Sequence, residues 1–164
     1  MFDRSLVRHA PGLQVAVENE AHRPFLDALF IACSPMRGVL PDPMMQQQAA
    51  LRETAYRTDH PVAMRRVVVA KGAPIGRIIV DWGFDGAALL VDIAVAPERQ
   101  GAGMGTALLH AYLDVADRRG QPAMLHVMRD NPALRLYARL GFAPVEPQDF
   151  APHLAMIRAP HTGG

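Results

Sequence analysis

Several features that often reveal a function are scarce or missing in this sequence. A single cysteine, Cys33, excludes an internal disulfide bond. The net charge of +1, with acidic and basic residues mixed along the chain, argues against a nucleic-acid partner, which normally requires a basic face. No apolar run has the length of a membrane span, and the first residues lack the apolar core of a signal peptide. We therefore expect a cytoplasmic protein without a nucleic-acid or membrane partner.

The remaining composition is that of an ordinary globular protein. Half of the 164 residues are hydrophobic and 20% are charged, so the chain can bury a substantial core. We predict a single domain over residues 1–164, with flexible ends at 1–12 and 159–164. Cys33 is expected to be a small buried residue. Because no pair of His or Cys residues has convincing metal-site spacing, no metal is expected.

Apolar spacing and turn residues predict an α/β fold with a mixed sheet. Helical spacing predicts four helices, within 25–33, 44–58, 104–119 and 131–141. Alternating or β-branched runs predict strands within 13–19, 64–70, 75–83, 87–95, 123–128, 142–146 and 153–159.

The stretch ERQGAGMGTALL, residues 98–109, has glycine at every second position from 101 to 105, where a helical pattern begins. A strand that enters a helix through such a turn leaves amides free for an anion, although a tightly packed turn would also need glycine. The P-loop requires Lys and then Ser or Thr after its last glycine, and here Thr106 and Ala107 follow Gly105. The dinucleotide fingerprint requires glycine at 106. Neither fingerprint fits.

The longer stretch VDIAVAPERQGAGMGTALL resembles the signature of the GNAT superfamily of N-acetyltransferases, which bind acetyl-coenzyme A (acetyl-CoA). The family pattern falls on Gln100, Gly103 and Gly105, after a strand that ends in the aliphatic run 93–97. A second family motif matches NPALRLYARLGF, including Asn131 and Tyr137. The resemblance covers roughly residues 13–158. It implies a mixed, mostly antiparallel twisted sheet of about six to seven strands, flanked by about four helices.

The resemblance also implies where the cosubstrate acetyl-CoA binds. Its pyrophosphate would be held by the backbone amides of the glycine turn, which comprises Gly101, Ala102, Gly103, Met104, Gly105 and Thr106. Gln100 and the Thr106 hydroxyl would add side-chain contacts, and Asn131 would contact the coenzyme A arm. A splay in the preceding strand would expose amides of Ile93, Ala94 and Val95 to the acyl carbonyl.

Two residues are candidates for catalysis. By the resemblance, Tyr137 lies near the thioester sulfur and acts as general acid; without the motif it would be assigned to the apolar stripe of its helix. Asp92 interrupts the apolar run ALLVDIAV, and alternation places it on the face opposite Leu89, Val91 and Ile93. It is a candidate general base or ammonium-binding group, with an arginine partner as the structural alternative. Weaker candidates for the base are Asp81, Glu98 and His126.

The resemblance assigns the acceptor side to roughly residues 34–60. Arg52 and Tyr56 share a helix face there, and an arginine suits a substrate carboxylate, although a solvated helix face is the simpler explanation. His60 is a further candidate contact, and Trp82 is a candidate wall residue or a packed strand end. The predicted function is direct transfer of acetyl to a primary amine of a small molecule or peptide, without an acyl-enzyme on Cys33. A non-catalytic acyl-CoA sensor is the alternative, and a homodimer remains open because many relatives pair.

Overall fold

The computed structural model describes residues 1–145 and 151–161. The helices of this part of the chain are α1 (Phe2–His9), α2 (Arg23–Cys33), α3 (Asp42–Asp59), α4 (Met104–Arg118) and α5 (Leu134–Arg139). Its strands are β1 (Leu13–Val17), β2 (Met64–Ala70), β3 (Ala73–Phe84), β4 (Ala87–Val95), β5 (Ala123–Met128), β6 (Ala143–Pro144) and β7 (His153–Arg158). Each element that the sequence predicts is present. Strand β6 is shorter than the predicted segment 142–146, whose last residue lies outside the described residues.

The described strands form one sheet in the order β1-β2-β3-β4-β5-β7-β6. Strands β4 and β5 are parallel and are connected through α4, whereas all other neighbouring strands are antiparallel. The predicted mixed, mostly antiparallel sheet is therefore confirmed.

The main hydrophobic core lies between the sheet and helices α1 and α4. Buried residues of the strands, such as Ile78 and Leu90, pack there against Leu6 of α1 and Leu108 of α4. Tyr112 of α4 is fully buried, donates its hydroxyl to the Ala88 carbonyl at 2.5 Å and accepts the Met124 amide at 3.1 Å. Because these two partners belong to β4 and β5, Tyr112 links the two strands where they pair, within the hydrophobic core.

The ends of the chain differ from the prediction. Residues 2–9 form α1, where Leu6 and Ser5 are fully buried and Ser5 hydrogen-bonds Asp114 of α4 at 2.6 Å. The predicted flexibility of 1–12 is thus wrong for this helix, because its short apolar stripe packs on α4. At the other end, the backbone N–H of His161 donates to Asp117 at 2.8 Å, and residues 162–164 lie outside the described residues.

A β-bulge in β4 corrects the predicted orientation of its side chains. Asp92 pairs with Ile79 of β3, but Leu90 pairs with the next residue, Val80, so Val91 is an extra residue. An extra residue shifts the alternation of faces by one position. Leu89, which pairs with Asp81, therefore shares a face with Asp92, and the prediction that they lie on opposite faces is wrong.

Beyond the bulge, β4 separates from β5. The two strands pair only along residues 88–90 and 123–125, although β4 continues to Val95 and β5 to Met128. Strand β4 remains paired to β3 on its other edge as far as Val95. The splay expected from the sequence is present, and a gap opens between β4 and β5 on the side from which α4 begins.

Candidate active site

The glycine turn connects the end of β4 to α4. Gly101 and Gly103 both have φ of +80°, the left-handed region in which a side chain is strained, and Gly103 is the N-cap of α4. A Cβ added at 101, 103 or 105 would meet no atom within 4 Å, so these glycines face open space rather than packed protein. No side chain caps this helix within the described residues. The first amides of α4 are therefore available to an anion, which the helix dipole also favours.

A cleft of about 400 Å³ adjoins the turn. It is lined by Val95, Gln100, Gly101, Gly103, Met104, Gly105, Thr106 and Leu136. The end of β4, the first turn of α4 and helix α5 therefore surround one continuous space, and an elongated ligand can lie across all three.

The free edge of β4 faces this gap. The Ala96 amide donates to the carbonyl of Ile75 in β3 at 2.8 Å. Successive amides of an extended chain point in opposite directions, so the Val95 amide points away from β3. The Val95 carbonyl accepts the side-chain amide of Gln100 at 2.9 Å and the Cys33 thiol at 3.5 Å. Gln100 thus closes the end of the strand, and its predicted contact with a phosphate stays a prediction.

Tyr137 and Asn131 lie at the second motif. Tyr137 is 8% exposed, packs edge-on against Phe142 with ring centroids 6.1 Å apart, and its hydroxyl has no hydrogen-bond partner within residues 1–145 and 151–161. Burial, reinforced by the Asp92 carboxylate, raises the pKa of Tyr137, so the phenol remains a proton donor at neutral pH. Asn131 accepts the Ala133 amide at 2.9 Å and shapes the turn into α5.

Asp92 has an arginine neighbour, but at long range. Its carboxylate lies 4.0 Å from Arg77 Nη1, and its side chain is 21% exposed. Burial raises the pKa of Asp92, although Arg77, Arg52 and the Ile93 amide act in the opposite direction. A carboxylate with a raised pKa can accept a proton near neutral pH. The charge of Asp92 also raises the pKa of both Tyr137 and Tyr56.

Arg52 and Tyr56 contact each other as their spacing predicts. Arg52 Nε donates to the Tyr56 hydroxyl at 2.5 Å, and the guanidinium carbon lies 5.4 Å from the Tyr56 ring centroid and 5.5 Å from that of Phe30. The Tyr56 ring also lies near Arg77, whose guanidinium carbon is 5.7 Å from the ring centroid. Arg52, Tyr56, Arg77 and Asp92 therefore form a connected row from α3 to β4.

An ion network that the sequence analysis missed supports this row. Glu53 lies 2.6 Å from Arg77, 2.9 Å from Arg57 and 3.4 Å from Arg65, and Glu18 lies 3.1 Å from Arg77. Burial alone would raise the pKa of Glu53, but its hydrogen bond to Arg77 and the surrounding arginine charges bring that pKa below its ordinary value. No local pattern could reveal this network, because its members come from separate elements.

Trp82 takes one of its two expected roles, that of a packed strand end. Its ring lies 5.9 Å from the Tyr112 ring and 4.8 Å from the Arg119 guanidinium carbon, on the hydrophobic-core face of the sheet. It shares this face of β3 with Val80, so its side chain does not face Asp92. Cys33 differs from the prediction: it is expected to be buried, but it is exposed and contacts Val95 and Gln100. The end of α2 brings it there.

The weaker base candidates are distributed around this site. Asp81 hydrogen-bonds His60 Nδ1 at 2.9 Å and accepts the Gly83 amide at 3.0 Å. Burial, together with His153 and His60, lowers the pKa of His126, and Glu98 is exposed. Within the described residues, no cluster of three His, Cys, Asp or Glu side chains could hold a metal ion. No described helix has both the length and the apolar character of a membrane span.

The profile of the Acetyltransferase (GNAT) family matches residues 17–142, which include both motifs and the gap between β4 and β5. This chain belongs to the GNAT family. It is therefore an acyltransferase, and coenzyme A binding fits the open glycine turn. No curated protein sequence matches the chain significantly.

Solved structures of GNAT proteins share the fold at low sequence identity. The PaiA N-acetyltransferase of Thermoplasma acidophilum, in complex with coenzyme A, has a TM-score of 0.67 at 15% identity, over 90% of this chain and 98% of that one. The ribosomal-protein-S18-alanine N-acetyltransferase of Escherichia coli has a TM-score of 0.62 at 21% identity, over 93% of this chain and 96% of that one. A chimeric spermidine N-acetyltransferase from Vibrio cholerae has a TM-score of 0.64 at 21% identity, over 90% of this chain and 95% of that one.

Proposed function

We propose that this GNAT protein transfers acetyl from acetyl-CoA to a primary amine by direct attack, with Tyr137 as general acid. The observation that carries the proposal is one continuous space. It runs from the uncapped glycine turn, past the end of β4 at Val95, to Leu136 of α5, which directly precedes Tyr137. An acyl donor anchored at the turn would present its reactive end toward Tyr137 and toward Asp92, whose charge acts on Tyr137.

On the donor side, the chain contributes backbone amides. Those of residues 101–106 would hold the pyrophosphate, because three glycines leave the approach open. The amides on the free edge of β4, within Ile93, Ala94 and Val95, would polarise the acyl carbonyl in the manner of an oxyanion hole. Asn131 would contact the coenzyme A arm. Acetyl-CoA supplies an activated acetyl thioester when bound.

Proton transfer falls to two side chains. The amine nitrogen forms the new N–C bond as the C–S bond breaks, so one proton must leave nitrogen and one must reach sulfur. Asp92 would accept the first, directly or through water, since burial raises the pKa of its carboxyl group. Tyr137 would donate the second, since its hydroxyl is protonated and has no partner in the described residues. Cys33 has no basic partner there, and partial desolvation of its thiol raises the pKa, which disfavours an acyl-enzyme.

The test is a screen of primary amines with acetyl-CoA as donor, following the release of free thiol. We expect amine-dependent thiol release, with one acetyl group recovered on the amine for each thiol. Tight coenzyme A binding without thiol release for any amine class would contradict the proposal and favour the acyl-CoA sensor. The names of the similar structures include a ribosomal-protein alanine and spermidine, so the screen must contain peptides, amino acids and polyamines.

A further inference from the structure

Arg52 differs from the other arginines that surround α3. Arg23, Arg57, Arg65 and Arg77 each lie within 3.6 Å of the Glu53 carboxylate. Arg52 has no carboxylate partner within the described residues; its contacts there are one hydroxyl and two aromatic rings. An arginine that keeps its charge without an acidic partner is available to an anion from outside the protein.

The side chain of Arg52 is nevertheless held in place. Its Nε donates to Tyr56, and the rings of Tyr56 and Phe30 lie against the guanidinium. The hydrogen bond uses Nε, and the two terminal nitrogens have no hydrogen-bond partner among the described residues. A guanidinium fixed in this way presents two parallel N–H donors, the geometry that binds a carboxylate in bidentate fashion.

Asp92, the acidic residue of the row, is also incompletely paired. Arg77 lies between Tyr56 and Asp92, but its charge is already matched by Glu53 at 2.6 Å and Glu18 at 3.1 Å. Among the described residues, the one ion pair of Asp92 is therefore the long contact of 4.0 Å to Arg77, and its side chain remains partly exposed. The row ends in a cation without a partner on α3 and a loosely paired anion on β4.

We propose that the acceptor is an aminocarboxylate, such as a free amino acid, whose ammonium binds Asp92 and whose carboxylate binds Arg52. This inference rests on the proposed transfer to an amine. A zwitterion satisfies both ends of the row. A polyamine would bring a second positive charge toward Arg52 and be repelled.

Matched acceptors test this assignment. Amino acids are compared with their carboxamides, which keep the amine and side chain and lose the negative charge, by kcat/KM for thiol release. We expect the acids to be favoured. Arg52→Gln should lower kcat/KM for the acids about 10- to 100-fold, the worth of a charge-assisted hydrogen bond, and leave the amides unchanged. Arg52→Lys keeps the positive charge but loses the two parallel N–H donors of the guanidinium. It should recover part of the preference for acids over carboxamides.

Arg57→Gln is the control, since Arg57 lies on the same helix but is paired with Glu53 and Glu18. It should leave the ratio of acid to amide unchanged. Equal use of acids and amides by the parent protein, or an equal loss for both in Arg52→Gln, would overturn the inference. Thiol release with amines that lack a carboxylate, and not with amino acids, overturns this inference alone. If no amine releases thiol, the proposed function fails and this inference fails with it.

Discussion

The proposed donor and acceptor sides of the site consist of different chemical groups. The donor side consists of backbone: a turn of three glycines, the first amides of α4 and the free edge of β4. The acceptor side consists of charged side chains on α3, β3 and β4, which the Glu53 network holds in place. In the proposed mechanism this difference separates binding from selectivity. The backbone turn would hold the coenzyme A part of the donor, whereas the pattern of charges would select the acceptor.

The largest expected effect concerns the donor side alone. Gly103→Val should lower coenzyme A affinity about 10³-fold, or ~4.1 kcal/mol, because a branched side chain at φ +80° occupies the space in front of the amides. Titration calorimetry measures the change. Gly86 has φ of +79° in the turn before β4 and also faces open space, so Gly86→Val carries similar backbone strain. Equal affinity losses in the two variants would contradict the assignment of the turn.

The second prediction concerns the acceptor side. Glu53→Gln should destabilise the fold by about 3 kcal/mol, because buried Arg77 loses its shortest ion pair. Coenzyme A affinity of the folded protein should not change. Denaturant unfolding measures the free energy, and Asp3→Asn is the control. The Asp3 side chain is 60% exposed and makes a 3.8 Å ion pair with Arg66, so we expect a change below about 0.5 kcal/mol. A similar loss of unfolding free energy in both variants would show that the Glu53 network does not stabilise the fold.

Tyr137 is the proposed general acid of the transfer. Tyr137→Phe should lower kcat about 10²-fold, the lower end for a general acid, with little effect on coenzyme A affinity. Tyr137 acts in its protonated form, and its pKa is raised above the ordinary value. Loss of the hydroxyl proton should therefore not lower the rate of the parent enzyme below pH ~10. Tyr112→Phe is the matched control: it loses hydrogen bonds within the core, so its stability should fall while kcat is retained. Equal kcat in Tyr137→Phe and the parent would exclude Tyr137 as the acid.

The smallest expected effect is a change in the alkylation rate of Cys33, the single cysteine. Cys33 contacts Val95 and Gln100, two residues of the cleft wall, so saturating coenzyme A should slow its alkylation several-fold. Burial raises the thiol pKa, and labelling is therefore measured at pH ~8.5. The control carries Cys33→Ser and Val62→Cys, since Val62 is 84% exposed and distant in sequence from both motifs. Unchanged Cys33 labelling with coenzyme A bound would place the ligand elsewhere.

The same difference explains what could be predicted from the sequence. The glycine turn and the Tyr137 motif are continuous segments, so their spacing alone indicates their role, and alternation predicts the strands that carry them. The Glu53 network joins residues from separate elements, and no local pattern connects Glu18 with Arg77. The bulge at Val91 reverses the face of Leu89 relative to Asp92, and the end of α2 brings Cys33 to the turn. Each of these depends on tertiary packing, which short-range periodicity does not contain.

The most direct test of the central claim is an amide NMR titration of the parent protein with coenzyme A. The account predicts that the largest shifts fall on the backbone amides of Gly101, Gly103, Gly105 and Thr106, with small shifts on α3. Saturable binding that leaves these four amides unmoved while other regions respond would contradict it.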